Sequence, residues 1–71
     1  MTLHDAIIEV IKEAGKPLAK NEIANRINEG KLYTRRDGNP IPTNQISARI
    51  NNYPDLFTVN SDKTISLKSG V

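Results

Sequence analysis

Pro42-Thr43-Asn44-Gln45-Ile46-Ser47-Ala48-Arg49-Ile50-Asn51-Asn52-Tyr53 is the stretch whose reading decides the fold. Pro42 precedes Thr43, a residue type favoured at a helix N-cap, and Ile46, Ile50 and Tyr53 recur at the spacing of a buried helical stripe. At about 100° per residue the opposite side centres on Asn44, Ala48 and Asn51, with Gln45, Ser47 and Asn52 at its margins. A face selected for solubility alone would carry Glu and Lys, because amides form helices less well and bring no net charge. Side-chain amides do offer paired donors and acceptors, and Ala permits close approach.

Upstream, Thr2 with Asp5 three residues on resembles a capping box with the shorter acid, so a first helix is expected from Leu3. Leu3, Ala6, Ile7, Val10, Ile11 and Ala14 form its apolar face, and Gly15 is suited to its end. Ile8 falls about 100° off that face and reads as an isolated exposed side chain or a contact with the wing or another domain. Lys16-Pro17 stops the helix, and Leu18 is expected to dock into the core as a one-residue bridge. A second helix from Lys20 to Asn28 points Ile23, Ala24 and Ile27 inward, with Glu29-Gly30 as its stop. Ala19 at its start is a weak cap, which leaves backbone N–H groups to water or to a ligand.

From Lys31 to Pro42 the pattern is irregular. Leu32-Tyr33 reads as a short buried strand, and Thr34 to Asn39 as a polar turn around Asp37-Gly38. Pro40 and Pro42 flank Ile41 and force an extended approach to the third helix. After Tyr53-Pro54-Asp55, Leu56–Val59 and Thr64–Lys68 alternate as strands around the polar turn Asn60–Lys63, a hairpin. The order helix, helix, short strand, helix, strand, strand predicts an α+β winged helix-turn-helix: three helices and a small antiparallel sheet ending in a hairpin wing.

Length and composition bound the function. Seventy-one residues make a single domain, expected to span 1–71 as part of a longer protein, and at this size about 60% of the unfolded surface is buried. With no cysteine there is neither a disulfide framework nor a thiolate metal site. No apolar run approaches the roughly 20 residues of a membrane span, and the N-terminus lacks the order of a signal peptide, so a cytoplasmic setting is expected. A single histidine, His4, reads as a solvated helix-end residue; Asp37, Asp55 and Asp62 all sit in turn contexts. No catalytic set, metal-ligand cluster or phosphate loop is present in the sequence, and the reading is a non-enzyme without cofactor or metal.

Charge points to a partner. The net charge is only +2, but residues 1–30 carry four basic and five acidic side chains whereas residues 31–71 carry six and three. The positive part contains the amide-faced helix, the arrangement a phosphate-binding surface needs. The expected partner is therefore double-stranded DNA. The third helix enters the major groove, with Asn44, Gln45, Ser47 and Asn51 reading base edges. Lys20 and Asn21 at the start of the second helix, Arg35 and Arg36 in the loop, and Lys63 and Lys68 on the wing are the candidate backbone contacts. An ordinary solvated helix end and a charged loop tip are the plain alternatives for Lys20-Asn21 and Arg35-Arg36. Arg49, on the border of the buried stripe, is open to a salt bridge with Asp55 or another acid, or to DNA.

Gly15-Lys16-Pro17-Leu18, Glu22-Ile23, Lys31-Leu32-Tyr33, Ser47-Ala48-Arg49-Ile50 and Phe57, in this order and spacing, resemble the HARE-type helix-turn-helix family from Ala6 to Leu67. The resemblance implies a winged helix found with restriction endonucleases and other DNA-acting proteins, with chromatin proteins, and in the delta subunit of bacterial RNA polymerase. It implies DNA binding that senses sequence or modification, or docking on an attached or partner protein domain. Family members often carry Thr or Ser where this chain has Ala19, whereas Arg35-Arg36-Asp37-Gly38 is similar to the restriction-enzyme branch. The alternative function is protein docking as in the polymerase subunit, through Glu9, Glu13 or Ile8.

Overall fold

A computed structural model describes residues 2–35 and 37–68. The chain runs α1 (Leu3–Ala14), β1 (Leu18–Ala19), α2 (Lys20–Gly30), α3 (Thr43–Asn52), β2 (Phe57–Val59) and β3 (Thr64–Leu67). This is the α+β winged helix-turn-helix expected: three helices with a three-stranded antiparallel sheet in the order β1-β3-β2.

α1 forms as its sequence dictates. Thr2 is its N-cap, and its side chain accepts a bond from the Asp5 backbone amide at 3.3 Å. Gly15 closes it in the left-handed region at φ 67, returning its own amide to the carbonyls of Ile11 and Lys12. Leu3, Ala6, Ile7, Val10 and Ile11 bury the inward face against Ile23, Ala24 and Ile27 of α2, Ile46 and Ile50 of α3, Phe57 and Ile65 of the sheet, and Leu18 and Ile41 between elements. Ile8 is half-buried and packs on this core, so it is not the free apolar side chain its wheel position suggested.

Four local readings change. First, the third strand is Leu18–Ala19, paired with β3 as Leu18↔Ile65 and Ala19↔Thr64, and Leu32-Tyr33 is not a strand. α2 ends in a Schellman arrangement in which Lys31 is left-handed at φ 52 and the Leu32 amide bonds to the Ile27 carbonyl at 3.2 Å. The Leu32 amide is thus committed to the helix end and is lost to any sheet ladder; Leu32 and Tyr33 pack half-buried on the core. Second, Gly30 is the last helical residue and Lys31, not Gly30, takes the left-handed position. Third, the N-cap of α3 is Pro42, with no side-chain cap bond, and Thr43 is already helical. The Pro42 carbonyl accepts from the amides of Gln45 and Ile46, and this sets the start one residue early. Fourth, His4 is not solvated: its side chain is 20% exposed and stacks on Tyr53, ring centroids 4.2 Å apart. That stack ties the start of α1 to the end of α3. Its Nε2 also lies 3.8 Å from Asp5 Oδ1.

The approach to α3 is fixed by Asn28. Its Oδ1 accepts from the Ile41 amide at 2.8 Å and its Nδ2 donates to the Ile41 carbonyl at 3.2 Å. Between two prolines that supply no N–H, Ile41 has its side chain in the core and its backbone served by one side chain of α2.

Candidate nucleic-acid interface

The α3 helix buries Ile46 and Ile50 and turns Asn44, Ala48 and Asn51 fully outward, with Gln45 and Ser47 half-buried at the margins. Among the described residues, the side chains of Asn44, Gln45 and Asn51 have no hydrogen-bond partner. The amide face is therefore present, uncommitted and free of acidic groups. Ser47 is the exception: its Oγ accepts from Lys20 Nζ at 3.0 Å.

Beside this face lies an open groove of about 600 Å³, lined by Ala19, Lys20 and Asn21 from the start of α2, Thr43 from the start of α3, and Val59 and Lys63 from the wing. Both helices begin there without a side-chain cap, on Ala19 and Pro42. Uncapped first-turn amides and the positive end of the helix dipole favour anions. Val59, 53% exposed, is the large apolar side chain left on the surface among the described residues.

The wing tip is a tight construction. The Asn60 carbonyl accepts from the Lys63 amide, the Asn60 amide donates to the Thr64 carbonyl, and Asn60 Nδ2 bonds Thr64 Oγ1 and Ser66 Oγ. Asp62 Oδ1 accepts from both the hydroxyl and the amide of Thr64, and these bonds hold its carboxyl below the ordinary carboxylate value. Lys63 sits left-handed at φ 70, a region suited to Gly or Asn, and so carries its charge at a conformational cost. Lys68 stands five residues further along, at the other end of β3, where its amide bonds the Leu56 carbonyl. At about 3.3 Å per residue that is roughly 16 Å from Lys63. The structure thus brings Lys20, Asn21 and Lys63 together and leaves Lys68 apart.

Arg35 is paired with Asp37, Nη2 to Oδ2 at 3.0 Å, and its charge is partly answered within the loop. The Asn39 amide first, and then the Arg35 guanidinium, hold the Asp37 carboxyl below its usual value. Arg36 lies outside the described residues. Arg49 is half-buried in the last turn of α3, and among the described residues it has no carboxylate within salt-bridge distance, Asp55 included. Among those residues no group of His, Cys, Asp or Glu could hold a metal ion, and no helix is long and apolar enough to cross a membrane.

A scan against family models matches HARE-HTH, a helix-turn-helix domain whose description names ASXL and restriction endonuclease proteins, over residues 1–69. The chain belongs to the HARE-HTH family. No curated protein and no solved structure matches it significantly. As a HARE-HTH domain it is a helix-turn-helix module of a DNA-binding family.

Sequence reasoning missed Asn28 and the Lys20–Ser47 bond. The first had a signal: Ile41 between Pro40 and Pro42 is a buried residue whose single amide needs a partner from outside its own segment. The second had none, because 27 positions separate the two residues.

Proposed function

We propose that this domain binds double-stranded DNA with α3 in the major groove, where Asn44, Gln45 and Asn51 read base edges and Ser47 shapes the same face. The observation that carries the reading is the exposed, unpaired amide face of α3 flanked by lysines from α2 and from the wing at one groove. Amides pair bidentately with adenine N6 and N7, each good pair contributing roughly 1–3 kcal/mol of discrimination. Asn21, Lys63 and the uncapped starts of α2 and α3 meet phosphates on one side. Arg35 and Lys68 extend the backbone contacts further out, and the sequence adds Arg36 as a candidate contact. Arg35 contributes less than a free arginine because Asp37 competes for it.

The domain serves to target or regulate an attached DNA-acting domain of the restriction or nuclease kind, in keeping with the words of the family description. A small net charge of +2 gives modest affinity to the isolated domain, so a tethered partner supplies the remainder through effective concentration. The alternative, protein docking as in the polymerase delta subunit, loses one of its anchors because Ile8 packs on the core; exposed Glu9 and Glu13 are left to it.

Titration of short duplexes at two salt concentrations tests the reading. Binding through about four phosphates gives a log–log salt slope near −3.6, about −0.9 for each contact. Absence of duplex binding at low salt would reject it.

A further inference from the structure

We propose that Lys20 is a base-reading residue, held on the reading face of α3 by Ser47 and presented to a guanine in the major groove. This rests on the DNA-binding reading above and changes the role of one residue within it. Lys20 begins α2, where a side chain extended into solvent would seek a phosphate. Instead the residue is half-buried and its ammonium donates to Ser47 Oγ at 3.0 Å, across the helix-turn-helix.

Ser47 lies between Asn44, three residues before it, and Asn51, four residues after; these three positions are neighbours on one strip of the helix. An ammonium on Ser47 therefore stands at the α2-side margin of the reading face, level along the helix axis with the gap between the two exposed amides. One of its three N–H donors goes to Ser47, and two are left with no carboxylate within salt-bridge distance among the described residues. The charge carried by α3 itself, Arg49, lies on the other margin. The face thus has two donor–acceptor amides with a pure donor that carries positive charge at their margin. Guanine offers two acceptors, O6 and N7, on its major-groove edge, and adenine offers N7 beside a donor. The amides suit adenine, and a fixed ammonium beside them suits guanine. Ser47 becomes a positioning residue: its hydroxyl fixes the ammonium and thereby lowers the conformational freedom lost on binding.

The test uses the 71-residue protein. Selection from random duplexes defines its site, and anisotropy titrations follow with the selected duplex, with each single-base variant, and with 7-deazaguanine placed at each guanine. Lys20→Met keeps the apolar stem. The expected result is a site with one required guanine, where wild type loses roughly 10- to 100-fold on guanine-to-adenine replacement and a smaller part of that with 7-deazaguanine. Lys20→Met is expected to lose affinity by a similar factor on the selected duplex and to be indifferent to replacement at that one position. Ser47→Ala should weaken discrimination there and leave other positions unchanged. A loss spread evenly over all duplexes makes Lys20 a phosphate contact and overturns the proposal, as does unchanged affinity in Lys20→Met or a site without a required guanine. Failure of the wild type to bind any duplex at low salt overturns the DNA-binding reading itself, and that outcome is distinct from the others.

Discussion

Replacing Asn28 by Ala should be the most damaging polar substitution in the domain. The side chain makes two bonds to Ile41, at 2.8 and 3.2 Å, and Ile41 is 3% exposed. Each bond contributes about 1 kcal/mol net, and an orphaned buried amide or carbonyl adds about 1 kcal/mol or more, so the expected loss is about 2–4 kcal/mol. A domain of this size has roughly 4–10 kcal/mol in all. Urea denaturation followed by circular dichroism reads the change, and the melting point should fall by roughly 10–30 °C. Asn25→Ala is the control, because Asn25 is exposed on the same helix; it should be neutral or slightly stabilising through helix propensity. An Asn28→Ala variant within about 0.5 kcal/mol of wild type would show that the Ile41 backbone finds other partners and that Asn28 does not fix the approach to α3.

Further outcomes are expected elsewhere. Lys63→Gly relieves the left-handed strain at φ 70, so it should raise stability by about 0.5–1 kcal/mol in thermal melts while weakening duplex binding and flattening the salt slope by about 0.9. The double variant Gly30→Ala, Lys31→Gly moves glycine to the position that is left-handed, and a Cβ at residue 30 would meet Leu32 at an ordinary 3.5 Å. It should stabilise by about 1–2 kcal/mol, a rise of roughly 5–15 °C. Asp37 and Asp62 are both held below the ordinary value of 3.8 in the fold, so their contribution is complete above that pH and is lost as pH falls through their folded values. Melting points should therefore decline in acid below about pH 4, and less steeply in Asp62→Ala than in wild type.

Most of the fold was legible because its signals were long and mutually consistent. The stripe of α1, its Thr2 start and its Gly15 stop each point to one helix, and the alternation on both sides of Asn60–Lys63 points to a hairpin. What escaped was set by partners distant in sequence. Leu18–Ala19 is too short to alternate and is a strand because Ile65 and Thr64 pair with it. Leu32-Tyr33 has strand-like composition, yet the α2 end takes the Leu32 amide first. His4 was read from a position near a terminus, and its burial comes from Tyr53, far away in the sequence. In the candidate interface, the exposed face of α3 followed from helical period alone. The grouping of Lys20 with Lys63, and the separation of Lys68, depend on the register of β3 and could not be read from charge counts.

The most direct test of the interface is an amide chemical-shift map of the labelled domain titrated with duplex at low salt. The expected result is perturbation concentrated on Asn44, Ser47, Ala48 and Asn51, including the side-chain amides, with weaker shifts at Asn21 and Lys63 that fade as salt rises. Perturbation centred on Glu9 and Glu13 of α1, with the α3 amides unmoved, would contradict the placement of α3 in the groove.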